Sequence, residues 1–301
     1  MGYVDCRNWP RYNDALVRRG EIFLDLDALE EWDEELEGMN RGKEGASFRF
    51  PDGFIRLLGF IRHLFHLPYR QTEGFVEALS RYMEGLRVPD YTTLNKRVNR
   101  LNVSLGLDDV EDDEPLTISV DASGVKVANS GDWIRRVWRV RKGYLKIHIA
   151  VDVKSKQIIA MEVTCERTGD SRMFQPLVKA AMNSHPIRRV LADGAYDVKK
   201  LFDFLDYYSV DAGIKVRSNS VAKSRGSIAR KQAVAEQLKN PEAWRDKHQY
   251  GYRWRAEGVF SCMKRSFGEH VTAKKFENMA REMLLKAALY NLLTQMTAKA
   301  K

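Results

Sequence analysis

Cysteine is scarce in this 301-residue chain: Cys6, Cys165 and Cys262 lie far apart and form no C-x-x-C pair. That excludes a zinc ribbon readable from sequence and fits a reducing compartment. Long apolar runs are also missing; "GFIRLLGFIRHLFHL" is broken by Arg56, Arg62 and two histidines, so no membrane span is expected. The start, MGYVDCRNWPRYND, is polar and aromatic and does not resemble a signal peptide. The expected location is cytoplasmic, associated with the nucleoid. His63 and His66 on the same apolar stretch lack a cysteine or carboxylate partner nearby and are not read as a metal pair.

Charge, by contrast, is plentiful and unevenly placed. Residues 21–37 hold nine acids and no base, whereas residues 215–301 hold 19 Lys/Arg against seven Asp/Glu. The net charge of +9 is therefore concentrated in the C-terminal third, the electrostatic footprint expected of a nucleic-acid binder.

The chain reads as a helical region followed by an α/β region. Residues 1–50 carry an N-terminal motif and the acidic segment; residues 51–105 carry three helical patterns. The third, "YTTLNKRVNRLN", sets Leu94, Val98 and Leu101 on one side and Thr93, Lys96, Arg97 and Arg100 on another. Three helices ending in such a basic stripe read either as a helix-turn-helix-like DNA-binding domain or as a small bundle with a solvated face. "GLDDVEDDEP", with six acids, reads as a linker over 106–115.

From residue 116 the period falls to two. "LTISVDASGVKV", "YLKIHIAVDVK" and "QIIAMEVT" read as three antiparallel strands. "RRVLAD" and "AGIKV", each preceded by a helical pattern, read as two parallel crossover strands. The expected fold is an α/β mixed sheet flanked by helices over 116–301. A basic insertion at about 215–248 is expected to be flexible over 215–231, and a long helix surrounds Glu257.

Three acids stand out. Asp121 lies opposite Ile118 and Val120 on its strand, beside small residues; Asp193 ends "RRVLAD" ahead of Gly194, which would admit close approach of another group. Taken singly, each also suits a turn or a cap. On helical geometry Glu257 shares a face with Tyr250, Arg253 and Lys264, although Arg253 and Glu257 also suit an ordinary i, i+4 ion pair. Several carboxylates among cations suit phosphodiester chemistry: hard divalent ions take oxygen ligands, and paired ions can activate one oxygen and stabilise another. His148 shares a strand face with Asp152 and is expected to be a core or hydrogen-bonded histidine, with a catalytic-site role as the alternative. Asp197 is expected to cap the following helix. Trp244 and Trp254 are expected in the core, with stacking on an unpaired base as the alternative.

The spacing Tyr250-x2-Arg253-x3-Glu257-x6-Lys264 resembles the Y-x2-R-x3-E-x6-K signature of DDE insertion-sequence transposases. "NWPRYNDALVRRGEIFLDL", "VPDYTTLNKRVNRL", "VDASGVKV", "RKGYLKIHIAVDVKSKQIIAMEVT" and "VLADGAYD" are similar to the insertion-sequence-five family, in its order. The resemblance implies an RNase H-like catalytic domain with Asp121, Asp193 and Glu257 as the acids holding two Mg²⁺ ions, Mn²⁺ substituting. It implies that Arg253 and Lys264 contact the DNA end and that Tyr250 packs or contacts phosphate beside them; Arg255 is a further candidate DNA contact. Substrates would be double-stranded DNA, the terminal inverted repeats and the target, handled by a homodimer or larger assembly. Two departures are the Ala122 where the family commonly has Ser or Thr, and the acidity of residues 21–45. A metal-dependent nuclease and a DNA-binding protein with an unused catalytic site are the rival readings.

Overall fold

The structure is a computed structural model describing residues 9–18, 20, 30–107, 114–127, 143–222 and 226–299. Most of the acidic linker (108–113), part of the acidic segment (21–29) and most of the N-terminal motif's first residues (1–8) lie outside the described residues. Two compact units are present: residues 1–104 with 284–301, and residues 105–283. No helix among the described residues is long and apolar enough to cross a membrane.

Among the described residues the regular elements of the first unit are helices: α1 (Trp9–Arg18), α2 (Trp32–Asn40), α3 (Asp52–Leu64), α4 (Tyr69–Ser80) and α5 (Tyr91–Val98). Phe54, Ile55, Leu58 and Ile61 make α3 its core helix, and Trp32 of α2 packs against Phe54 with ring centroids 4.9 Å apart. Glu35 of α2 accepts hydrogen bonds from the Gly53 N–H, satisfying a free donor in the first turn of α3. Gly59 has no room for a side chain: a Cβ there would lie 2.8 Å from Leu285, which explains why residues 284–301 group with these helices. His63 is buried while His66 is exposed, so the two do not converge; burial, then Arg62 and Lys286, holds His63 well below the ordinary histidine pKa.

Asp90 starts α5 as its N-cap, accepting from the Thr92 and Thr93 N–H groups at 2.9 and 3.0 Å. Leu94 and Val98 are buried as their spacing predicts. The α4–α5 connection spans residues 81–90, longer than the three- or four-residue turn of a tight helix-turn-helix.

The second unit is built on one six-stranded sheet: β1 (Leu116–Val127), β2 (Tyr144–Asp152), β3 (Ile158–Cys165), β4 (Ile187–Ala192), β5 (Asp211–Ile214) and β6 (His270–Val271). Helix α6 (Asp170–Ser184) connects β3 to β4, and α7 (Lys199–Tyr207) connects β4 to β5. After β5 come α8 (Ile228–Lys239), α9 (Pro241–Lys247) and α10 (Arg255–Phe267); α11 (Phe276–Lys299) ends the chain.

The strand order is β3-β2-β1-β4-β5, with β6 beside the end of β1. β2 is antiparallel to both β1 and β3, and β4 and β5 run parallel to β1. This is the mixed sheet expected from the switch in period, with the strand order that the resemblance implies for an RNase H-like domain. Ile118, Val120 and Ala150 share a buried face with Phe174, Leu177, Val178 and Leu205 from α6 and α7. Residues of odd number on β2, Leu145, Ile147 and Ile149, lie on the other face, where α10 packs on β1 and β2 and buries Val259, Phe260 and Met263.

The basic stretch 215–231 departs from the flexible segment expected of it, although 223–225 lie outside the described residues. Val216 N–H donates to Gln237 Oε1 at 3.0 Å, and Gln237 Nε2 returns a bond to Ile214 O at 2.9 Å. Arg230 donates to both carboxylate oxygens of Asp197, at 2.6 and 2.8 Å. Ser227 caps α8 by accepting from Arg230 N–H and donates to Asp203 at 2.6 Å. The segment contains no acid of its own; its acidic partners sit more than twenty residues earlier in the chain, out of reach of a local reading.

Candidate active site

Register puts Asp121 opposite Ile149 and Ala122 opposite His148. Paired residues of an antiparallel ladder share a face, so Asp121 lies on the α10 face of the sheet. β1 presents Ser119, Asp121 and Ser123 in a row along that face. Ser119 donates to Arg253 O at 2.7 Å, and Lys264 Nζ donates to Ser123 Oγ at 2.8 Å. The two serines thus pin both ends of the Arg253–Lys264 segment across the acid between them. Sequence reasoning passed over them; the signal was their position two residues either side of Asp121.

Asp193 follows β4 and caps a short 3₁₀ turn, Gly194–Tyr196, by accepting from Ala195 N–H at 2.8 Å. A Cβ on Gly194 would make only ordinary contacts, 3.7 Å from Lys215 O and 3.9 Å from Arg217 Cγ, so the close approach expected there does not occur.

The segment around Glu257 is not one helix. Tyr250–Trp254 forms a 3₁₀ turn, and α10 begins at Arg255, with Glu257 in its first turn. The tighter winding breaks the single face drawn from an ideal α-helix. Arg253 and Glu257 still meet, with Arg253 Nη2 2.5 Å from Glu257 Oε1. Tyr250 instead packs on Trp244, ring centroids 5.0 Å apart, and burial pushes its phenol up to about 12.

Asp121, Asp193 and Glu257 line one open cleft of about 530 Å³, together with Ser123, Arg253, Phe260, Ser261, Lys264 and Arg265. Burial pushes the Asp121 carboxyl up to about 6; the negative charges of Asp193 and Glu257 add to the rise, against the Ala122 N–H and Arg253. Mutually repelling carboxylates beside one another are a donor set suited to a hard divalent cation. Their present arrangement is open: among the described residues no three His, Cys, Asp or Glu side chains converge closely enough to hold a metal ion. Glu257 is engaged by Arg253 and Asp193 by its own turn.

Other candidates lie elsewhere. His148 is on the sheet face opposite Asp121, because it pairs with the alternate residue Ala122. There its Nε2 is 2.9 Å from Thr164 Oγ1, and burial lowers its pKa to about 4. Asp197 does not cap α7, whose N-cap is Val198. Its fully buried carboxylate accepts two bonds from Arg230 and one each from Arg217 N–H and Ser220 Oγ, both at 3.0 Å. Trp244 is 3% exposed as expected, but Trp254 is 53% exposed. The Arg255 guanidinium lies 4.6 Å from the Trp254 ring centre and 5.5 Å from that of Tyr252.

In the helical unit, the stripe of four on α5 is divided. Arg97 is drawn inward, donating to Asp52 at 2.7 Å and lying 4.6 Å over the Phe48 ring. Thr93 spends its hydroxyl on Asp90 at 2.7 Å. Lys96 and Arg100 remain exposed.

Fold and cleft together define an α/β protein whose mixed sheet carries a carboxylate-lined, cation-rimmed site. The chain belongs to the transposase DDE domain family: a family model of that description matches residues 112–292, well over half of the chain. A second model of the same description matches residues 17–130. Among solved structures, a piggyBac transposase synaptic complex with hairpin DNA is similar at 12% identity and a TM-score of 0.44, over 94% of this chain and 78% of that one.

Proposed function

We propose that this chain is an insertion-sequence transposase of the insertion-sequence-five type, with Tyr250, Arg253, Glu257 and Lys264 as its signature residues. It binds the terminal inverted repeats of its element, cleaves DNA at the ends and transfers the freed 3′-hydroxyls into target DNA. The observation that carries this is the meeting of Asp121, Asp193 and Glu257 on one cleft whose rim carries Arg253, Lys264 and Arg265. Magnesium ions bound by the three carboxylates would supply charge neutralisation at the reacting phosphate and a more acidic attacking hydroxyl.

The side chains have separable parts. Lys264, steadied by Ser123, and Arg253, steadied through its carbonyl by Ser119, meet backbone phosphate. When a phosphate takes the Arg253 guanidinium, Glu257 is released toward the two aspartates, so the acids assemble only with DNA in place. Trp254, with Tyr252 and Arg255 beside it, offers a face for an unpaired base at the cut end. Residues 51–105 contribute end recognition through Lys96 and Arg100, with Thr93 and Arg97 shaping the helix that carries them. Two ends handled together call for a homodimer or a larger assembly.

A cleavage and strand-transfer assay with Mg²⁺, on DNA carrying the element's ends, tests the reading. Joined products from the native protein and none from Glu257→Gln are expected. Cleavage without joining by the native protein would replace the reading with a nuclease, and tight binding without any metal-dependent product would replace it with a DNA-binding protein.

A further inference from the structure

Beyond β5 the chain turns back along the end of β4. Lys215 N–H donates to Ala192 O at 3.1 Å, and both Lys215 and Arg217 are exposed. Arg217 lies against the turn that carries Asp193: its Nε donates to Gly194 O at 3.2 Å, and its backbone N–H donates to Asp197 Oδ2 at 3.0 Å. Gly194 follows Asp193 in the chain, so that bond holds Arg217 at the turn carrying Asp193, whereas Lys264 reaches the cleft through Ser123.

The carboxylate that meets the Arg217 backbone does not neutralise its side chain. Asp197 takes only the backbone of Arg217, because its side-chain oxygens are filled by the fork of Arg230 and by Ser220. Among the described residues neither Lys215 nor Arg217 forms an ion pair. A guanidinium with five donors, one of them anchored on a fixed carbonyl, presents the rest in a set direction. That is a preorganised contact for an oxyanion beside Asp193, on a segment held by a buried hub.

We infer that Arg217, aided by Lys215, is a phosphate-contact residue for the substrate DNA on the Asp193 side of the cleft, and that Asp197 aims it by fixing its backbone. The inference rests on the reading that the cleft acts on DNA. It gives the cleft a cation on each flank, so that a strand crossing the acids is gripped on both sides of the reacting phosphate.

The test is the salt dependence of binding to a mixed-sequence duplex, for the native protein, Arg217→Gln and Arg217→Lys. Glutamine keeps a donor for Gly194 O without the charge; lysine keeps the charge. One lost phosphate contact lowers the slope of log K against log salt by about 0.9. Arg217→Gln should show that drop with an unchanged melting temperature, and Arg217→Lys should keep the native slope. A native slope in Arg217→Gln overturns the inference and leaves the transposase reading standing. Equal loss of slope in both variants overturns it in favour of a purely structural anchor. A native protein with no salt-dependent DNA binding overturns both.

Discussion

Arg253→Ala separates two roles that one side chain holds. In the DNA-free protein Arg253 engages Glu257 as an i, i+4 pair whose side chains are 23% and 55% exposed. A pair that open to water is worth only about 0.3–0.5 kcal/mol, roughly a factor of two. Removing it frees Glu257 and also deletes a positive charge that opposes a cation near Asp121. Both changes act in the same direction. Metal affinity without DNA should therefore rise about two- to fivefold in Arg253→Ala, from the pair and from the lost repulsion in a high-dielectric cleft.

DNA affinity should move the other way. The variant should lose about one phosphate contact, so the slope of log K against log salt falls by roughly 0.9. Titration calorimetry with Mn²⁺ reads the first effect and binding across a salt series reads the second. On the proposed reading, the smallness of the pair is what would let phosphate displace Glu257, since a charge-assisted bidentate contact outweighs an exposed ion pair. Weaker metal binding in Arg253→Ala would refute this reasoning, because it would make Arg253 a support for Glu257 rather than a competitor for it.

Three other outcomes follow from the geometry. Asp197→Ala leaves Arg230 without its carboxylate at a buried site, and should destabilise the protein by about 3–5 kcal/mol in thermal or urea unfolding; an effect within the range of about ±0.5 kcal/mol usual for surface changes would contradict the hub. In the metal-free protein, Asp121 has a folded pKa raised to about 6, so the folded state holds its proton more tightly than the unfolded one. Stability from this group is present below the unfolded pKa and is lost as pH rises through the folded one, so Asp121→Asn should raise the melting temperature above about pH 7 and change it little below about pH 4; the opposite pH trend in EDTA would count against it. Trp254→Ala should weaken binding of single-stranded ends by about 1–3 kcal/mol per stacked base, leaving blunt duplex binding near native; equal losses on both substrates, measured by fluorescence anisotropy, would assign Trp254 to packing instead.

The sheet was legible because its signal is local. Alternation of Ile118 and Val120 against Ser119 and Asp121 gave the strand, and the period of two also gave the face on which Asp121 lies. The same reasoning placed Asp193 after β4, since an acid behind a continuous apolar run marks where the strand leaves the core. What stayed hidden depended on partners far along the chain. Ser119 meets Arg253 across 134 residues and Ser123 meets Lys264 across 141. Arg97 looked solvated until Asp52, 45 residues earlier, claimed it. Asp197 looked like a cap because an Asp ahead of a helix commonly is one; Arg230 lies 33 residues on.

The error over Tyr250–Trp254 is of another kind and bears on how the site works. A spacing of fifteen residues was laid on one α-helix, yet Gln249 enters the turn at φ 52° and the first five residues wind as 3₁₀. That winding brings the Arg253 carbonyl to Ser119 while its side chain reaches forward one turn to Glu257. A continuous α-helix would also engage the Arg253 carbonyl with the N–H of Glu257, whereas here the 3₁₀ turn ends before α10 starts. The Ser119 bond ties the residue bearing the cation to the strand bearing Asp121 while the acid rides on α10. Cation and acid stand on separate supports, and that is the physical condition for one of them to let go of the other when a phosphate arrives.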